Sequence, residues 1–437
     1  MTYYPELLER VHDQARMQPA LYGDIDFSHP PHRLTTDPET RASLPAWVAP
    51  REPMLADDRL VELVTTTTML GDVVADPYAS LLPRFGLPKL IAMLRQACRE
   101  GVDAVPDAPP ELHTFLAALE ERPDWLDMDL VEEGARHARV SAAFLSPFIT
   151  RGAFLATFLN TYAALPMVLT GALSGRRASV RVNETACFFA ETTLPGALAR
   201  DGVGFESAAM VRLMHSMVRF NALHRSQRWD TQVYGVPIPQ IDQMPAGMII
   251  MYLLAMAARR RGRTDFTQRE RAMLEFARYR SFLLGLPEEL LPTDVAGVID
   301  LFHARAATLR DDFDDTCREL VTSTMAAYLR PGRAPFDRLF TAVEKTWSRA
   351  FFLAFNGGDR AASARMGAPF GPTDALRLAL TAPLVFGRLI AVTVASGQPG
   401  LSGLADRYAQ RVLARRLVAY GKPEYTTDAR HYRSAAP

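Results

Sequence analysis

Apolar positions recur along this chain at the three- and four-residue spacing of helices, almost from end to end. Leu60, Leu63 and Val64, followed by Met69 and Leu70, predict one helix over 57–74, although the β-branched run Thr65 to Thr68 disfavours it locally. Further helices are predicted over 88–100 and 111–121, with Pro106, Pro109 and Pro110 in the loop between them. The acids of Asp124-Trp125-Leu126-Asp127-Met128-Asp129 suit a helix start and lead into 128–144. That helix carries Glu132, Glu133, Arg136, His137 and Arg139, which reads as a mainly solvated face on which His137 is structural. Two or more apolar helices fill 145–175. Thr267-Gln268-Arg269-Glu270 has the spacing of a capping box and opens a helix to about 284, which Gly285-Leu286-Pro287 breaks. Helices then fit 293–330, 334–355, 373–396 and 401–420. No segment of any length alternates with a period of two, and no repeat is evident. The pattern predicts an all-α protein.

Proline sets the organisation at the start of the chain. Pro19, Pro30, Pro31, Pro38, Pro45, Pro50 and Pro53 recur too often for regular structure, so 1–55 reads as an arm with a short helix at 4–16. His29 and His32, either side of Pro30-Pro31, belong to a turn lying over the domain. The expected division is this arm, a helical domain over 56–332, and a helical extension over 333–437 packed on it. No linker is polar enough to separate two domains, so one large domain is expected.

Composition narrows the function classes. With 48% apolar and 22% charged residues among 437, the chain is an ordinary globular one. Basic and acidic residues number 49 each, which argues against a nucleic-acid partner. Cys98, Cys187 and Cys317 are scattered, with no CxxC or CxxCH, and fit a reducing compartment. The first residues lack a basic stretch followed by an apolar run, so a cytoplasmic location is expected. The uncharged stretch 152–175 is long enough to span a bilayer. It is interrupted by Asn160, Thr161, Pro166 and Thr170 and closed by Arg151 and Arg176, so buried core helices are expected. The run 248–258 is too short to span. Peripheral contact with a membrane stays open.

Candidate chemistry concentrates between Arg181 and Arg219. Arg181 and Thr185 are one helical turn apart, as are His215 and Arg219, and Arg212 precedes the histidine by three residues. Met210, Leu213, Met214, Met217 and Val218 give the second helix a broad apolar side. An imidazole among soft apolar side chains, with guanidinium groups near, is what a non-covalently held haem requires. A lone helical histidine is more often a core residue, so the pattern alone does not decide. Further on, Gly235-Val236-Pro237-Ile238-Pro239-Gln240-Ile241-Asp242-Gln243 makes a rigid loop feeding a helix N-terminus.

The order of these stretches resembles the latex clearing protein family, the rubber oxygenases, and the wider MpaB-type oxygenase group. The likeness is carried by Pro123-Asp124-Trp125-Leu126-Asp127, Leu169-Thr170-Gly171-Ala172-Leu173, Arg181-x-x-x-Thr185, Val211-Arg212-Leu213-Met214-His215 with Arg219, and the 235–242 loop. It covers roughly residues 55 to 300. The resemblance implies an all-α fold with a globin-like core holding haem b, and His215 as the iron ligand. It places Arg181 and Thr185 by the haem as catalytic and cofactor-binding residues, with Arg181, Arg219 and Arg212 available to propionates. The implied activity is a haem-dependent oxygenase acting with dioxygen on a small apolar or unsaturated substrate, by oxidative cleavage of a carbon–carbon double bond or by a hydroxylation or peroxidase-like reaction. A haem- or lipid-binding protein without turnover is the alternative.

Two departures stand out. Rubber-cleaving members carry a distal carboxylate, whereas this chain has no Asp or Glu between Arg151 and Glu184. Tyr162 or Glu184 would have to substitute as the base, or the reaction needs none. Some members also use a lysine as sixth ligand, and upstream of His215 only Lys89 is available. The family's rubber-degrading members are secreted, which argues against polyisoprene as the substrate here.

Overall fold

The computed structural model describes residues 2–171, 177–330, 332 and 334–425. It is all-α. Among the described residues the only β pairing is two isolated bridges, Leu34 with Leu309 and Ala42 with Arg310, which pin the proline-rich arm.

Most helix limits lie where local chemistry places them. Leu87–Glu100, Pro110–Glu120 and Pro335–Phe355 each start with a proline in the first turn, where the missing N–H costs nothing. Gln268–Leu283 opens on the predicted capping box, with Thr267 and Glu270 each accepting from the other's backbone N–H.

Three stretches differ from expectation. The helix predicted over 57–74 ends at Thr68. The hydroxyls of Thr67 and Thr68 bond back to the carbonyls of Leu63 and Val64 at 2.6 and 2.7 Å, and the chain then unwinds. In Met128–Phe144 the expected solvated face is not one: His137 and Arg139 are buried. The Arg139 guanidinium is drawn in by Asp406 and the Thr193 carbonyl, and burial is tolerated because the charge is answered. The run 248–258 belongs to a 21-residue helix, Gln240–Arg260, that is long and apolar enough to cross a membrane.

The stretch from 145 divides into Ser146–Ala156 and Thr161–Leu169, which meet at 106°. Asn160 caps the second by accepting from the Tyr162 N–H. The end of that stretch at Arg176, and Ala172-Leu173, lie outside the described residues.

The helices gather into two compact units. The first comprises residues 2–134 and 198–311. In it Val203–Arg225 packs against Ala75–Ala79 and Leu87–Glu100, while Gln240–Arg260 packs against Gln268–Leu283 and Val295–Thr308. The second comprises 135–197 and 312–425. Its closest pair is Ser146–Ala156 on Pro335–Phe355. Arg151, fully buried between them, grips Glu344 through Nε at 2.9 Å and Nη2 at 2.8 Å, and donates to the Ala327 carbonyl at 2.9 Å. The three cysteines are buried: Cys98 in the first unit, Cys187 and Cys317 in the second.

Candidate functional site

His215 sits in the middle of Val203–Arg225, and the residues that lock this helix in place are arginines. Arg212 forks onto Asp72, with Nε to Oδ2 at 2.6 Å and Nη2 to Oδ1 at 2.9 Å. Burial alone would raise the Asp72 carboxyl, but the Arg212 guanidinium, helped by the Ala75 N–H and Arg219, outweighs it and holds the group below the usual carboxylate range. One turn after His215, Arg219 is entirely buried. It pairs with Asp76 and donates to the carbonyls of Pro237 at 3.0 Å and Ile238 at 2.8 Å. Tyr22 donates its hydroxyl to Asp76, and burial followed by that carboxylate keeps the phenol protonated well above its ordinary range.

These bonds also fix the loop that faces the helix. Ile238 is held at φ 49°, a conformation disfavoured for a β-branched residue, with its carbonyl aimed at Arg219. The loop then delivers the first turn of Gln240–Arg260. There Gln240 donates its backbone N–H to the Leu70 carbonyl at 3.0 Å. Its side-chain Nε2 donates to the Gly71 carbonyl, also at 3.0 Å. Those two carbonyls belong to the stretch where the chain unwinds after Thr68. Close approach requires Gly71 itself, since a Cβ there would lie 2.0 Å from the Tyr22 hydroxyl oxygen.

From Gly71 a directed chain of hydrogen bonds runs to the imidazole. The Gly71 carbonyl can only accept, so Gln240 must point its amide nitrogen there and its oxygen the other way. That oxygen receives Nε2 of Gln243 at 2.9 Å. The Gln243 oxygen therefore faces His215 Nδ1, 2.8 Å away. Nδ1 then carries a proton, so in the neutral imidazole the lone pair is on Nε2. On the same helix Met210, Leu213, Met214, Met217 and Val218 are all buried, and His215 is half-buried.

Arg181 and Thr185 lie on Arg177–Glu191 in the second unit, whereas Arg212, His215 and Arg219 lie in the first. Arg181 is buried and pairs with Glu184, Nη1 to Oε2 at 3.2 Å. Glu184 also accepts the backbone N–H of Glu424 at 3.0 Å. Thr185 is half-buried on the same helix. Lys89 is exposed, its ammonium 4.9 Å above the Phe85 ring. Tyr162 is buried at the start of Thr161–Leu169.

Among the described residues, no three His, Cys, Asp or Glu side chains cluster as a ligand set for a bare metal ion. An iron already held by four porphyrin nitrogens asks the protein for as little as one imidazole. His215 meets the part of that demand that one side chain can meet: its ring is oriented by Gln243 through Nδ1.

Residues 138–387 match the family described as "ER-bound oxygenase mpaB/B'/Rubber oxygenase, catalytic domain". The chain belongs to that family. Its fold is similar to the structure of latex clearing protein in the closed state, at 17% identity and a TM-score of 0.57, covering 80% of this chain and 91% of that one. In sequence the chain matches none of the curated proteins compared with it.

Sequence reasoning did not find Gln243, Asp72, Asp76 or Tyr22. For Gln243 a signal existed: a rigid Pro-Ile-Pro turn that ends in amides at the start of a helix. For the two aspartates and Tyr22 there was none, because their roles arise from segments far apart in the chain.

Proposed function

We propose that this protein is a haem b-dependent oxygenase acting on a small apolar or unsaturated substrate, with Nε2 of His215 as the protein's ligand to iron. The observation that carries the reading is the hydrogen-bond chain from Gly71 through Gln240 and Gln243. A metal-binding imidazole needs a hydrogen-bond acceptor on its other nitrogen, and Gln243 supplies one whose own orientation is fixed. When bound, the haem would supply dioxygen activation. His215 would hold it through Nε2, with Gln243 orienting the ring.

Arg181 and Thr185 are assigned to the haem and the reaction by likeness to the family. Arg212 and Arg219 take a different role in our reading. Their guanidiniums already face Asp72 and Asp76, and a propionate would have to displace a buried carboxylate to reach them. They orient the helix that bears His215. Glu184 is engaged by Arg181 and by the Glu424 amide, which argues against it as the base and leaves Tyr162 as the candidate, or a reaction that needs none.

The test is optical. Protein reconstituted with haem should show a Soret band that is lost in His215→Ala, and oxygen uptake should follow on adding unsaturated isoprenoid or fatty substrates. A reconstituted protein with no Soret band would end the haem reading. A Soret band without oxygen uptake for any such substrate would favour carriage of haem or lipid instead.

A further inference from the structure

In the second unit, Pro372–Ser396 presents its apolar residues outward. Leu376, Leu380, Leu384, Ile390 and Val394 fall on one side of this 25-residue helix and are 56 to 74% exposed. The positions between them on that side are alanine, proline and glycine. The helix is about 37 Å long at 1.5 Å per residue, so this uncharged strip runs nearly its whole length. Among the described residues, two single helices are long and apolar enough to cross a membrane. Of their most apolar stretches, 44% is buried in Gln240–Arg260 but 11% in Pro372–Ser396.

The inner side of the helix, with Asp374, Val385, Val392 and Ser396, is buried, and the margins of the strip are tied to neighbouring helices. Trp347 donates to the Thr381 hydroxyl at 2.9 Å and stands 5.1 Å from the Phe386 ring. Arg388 lies 4.8 Å above Phe144 and bonds the Tyr408 hydroxyl. A helix packed along one side and apolar along the other suits an interface, lying in its plane.

The neighbouring helix, Ser402–Tyr420, packs on Pro372–Ser396, so its exposed charge bears on what can cover the strip. Arg407, Arg411 and Arg415 are exposed, one turn apart, on the side that carries Tyr408. The only acids of the two helices are Asp374 and Asp406. Asp374 is held by Thr346 and Arg349, and Asp406 by Arg139. A two-fold contact with a second copy would bring the arginine row close to its own image, with no exposed carboxylate on either helix to answer it. Phosphate headgroups answer it.

We propose that the outward side of Pro372–Ser396, with the arginine row of Ser402–Tyr420, is a docking surface for an anionic lipid bilayer. The inference does not depend on the cofactor. It is tested by sedimenting the whole chain with phosphatidylcholine vesicles, with and without phosphatidylglycerol. The protein should pellet with the mixed vesicles. Leu380→Asp with Leu384→Asp should weaken partitioning about tenfold or more, by charging the strip that would enter the bilayer. Arg407→Glu with Arg411→Glu should remove about an order of magnitude that depends on phosphatidylglycerol. All four positions are exposed, so unchanged circular dichroism melting shows that the variants fold. Failure of the wild type to pellet, or variants that pellet as well as it does, would overturn the proposal. So would a wild-type dimer in vesicle-free buffer that Leu384→Asp converts to a monomer.

Discussion

Gln243 is the residue on which the reading of the site turns, because it converts a half-buried histidine into one with a defined tautomer. Replacing it with leucine removes the acceptor at Nδ1 while keeping the volume. Haem retention should fall about 10- to 100-fold, as for other partners of metal-bound histidines. Gln243→Glu keeps an acceptor and should retain the haem, so dissociation rates of the two variants separate positioning from folding. Its neighbour Asp242 does different work. Arg33 and Arg305 approach its two oxygens at 2.7 and 2.6 Å. Burial raises this carboxyl, but the two guanidiniums outweigh burial and hold it below its ordinary value. A depressed folded value means that its stabilisation is present above the unfolded carboxylate range, near about 4, and is lost as pH falls through the folded value. Asp242→Asn should cost about 3 kcal/mol near neutrality by stranding the buried Arg33 and the partly buried Arg305. In urea titrations the gap from wild type should narrow towards low pH. At this scale the sequence revealed which residue types were unusual, His215 among them, but not their partners. Gly71 and Gln243 are 172 positions apart, and nothing local marks one as the anchor of the other.

Helices were the most legible feature, since their ends are set by neighbours in sequence. The capping box at Thr267 and Glu270 was readable and is formed, and Thr267→Ala should lower stability by about 1 kcal/mol in thermal melts. The helix that runs short shows the limit of such reasoning. Periodicity favoured continuing past Thr68, yet Gln240 bonds the carbonyls of Leu70 and Gly71, which a continued helix would have kept for itself. A tertiary partner outcompeted a local one. Helix contacts are similarly invisible in a single sequence. Gly152 allows Ser146–Ala156 to lie on Pro335–Phe355, because a Cβ would come within 2.5 Å of the Ser348 carbonyl oxygen. Gly152→Ala should therefore lower the melting temperature, with an overpacking cost of about 1–3 kcal/mol. The buried face of Met128–Phe144 was misread for a related reason: charged residues look solvated until the carboxylate that meets them is known.

At the scale of the whole molecule, an all-α oxygenase fold was evident from pattern and resemblance, and the family match covers residues 138–387. The gathering into two units was not, because each unit is assembled from two separate stretches of chain. One boundary, at residue 134, falls inside a continuous helix rather than in a polar linker. The buried thiols carry a consequence for both units. Burial pushes Cys98 up to about 12 and Cys317 to about 11, and burial with the nearby Glu191 raises Cys187 as well. Almost no thiolate exists near neutral pH, and an aromatic disulfide reagent should leave the native chain unmodified. Labelling then becomes a stopwatch for opening. Because one sulfur reports on one unit and two on the other, mass spectrometry of the tagged peptides during mild denaturation would tell which half loosens first.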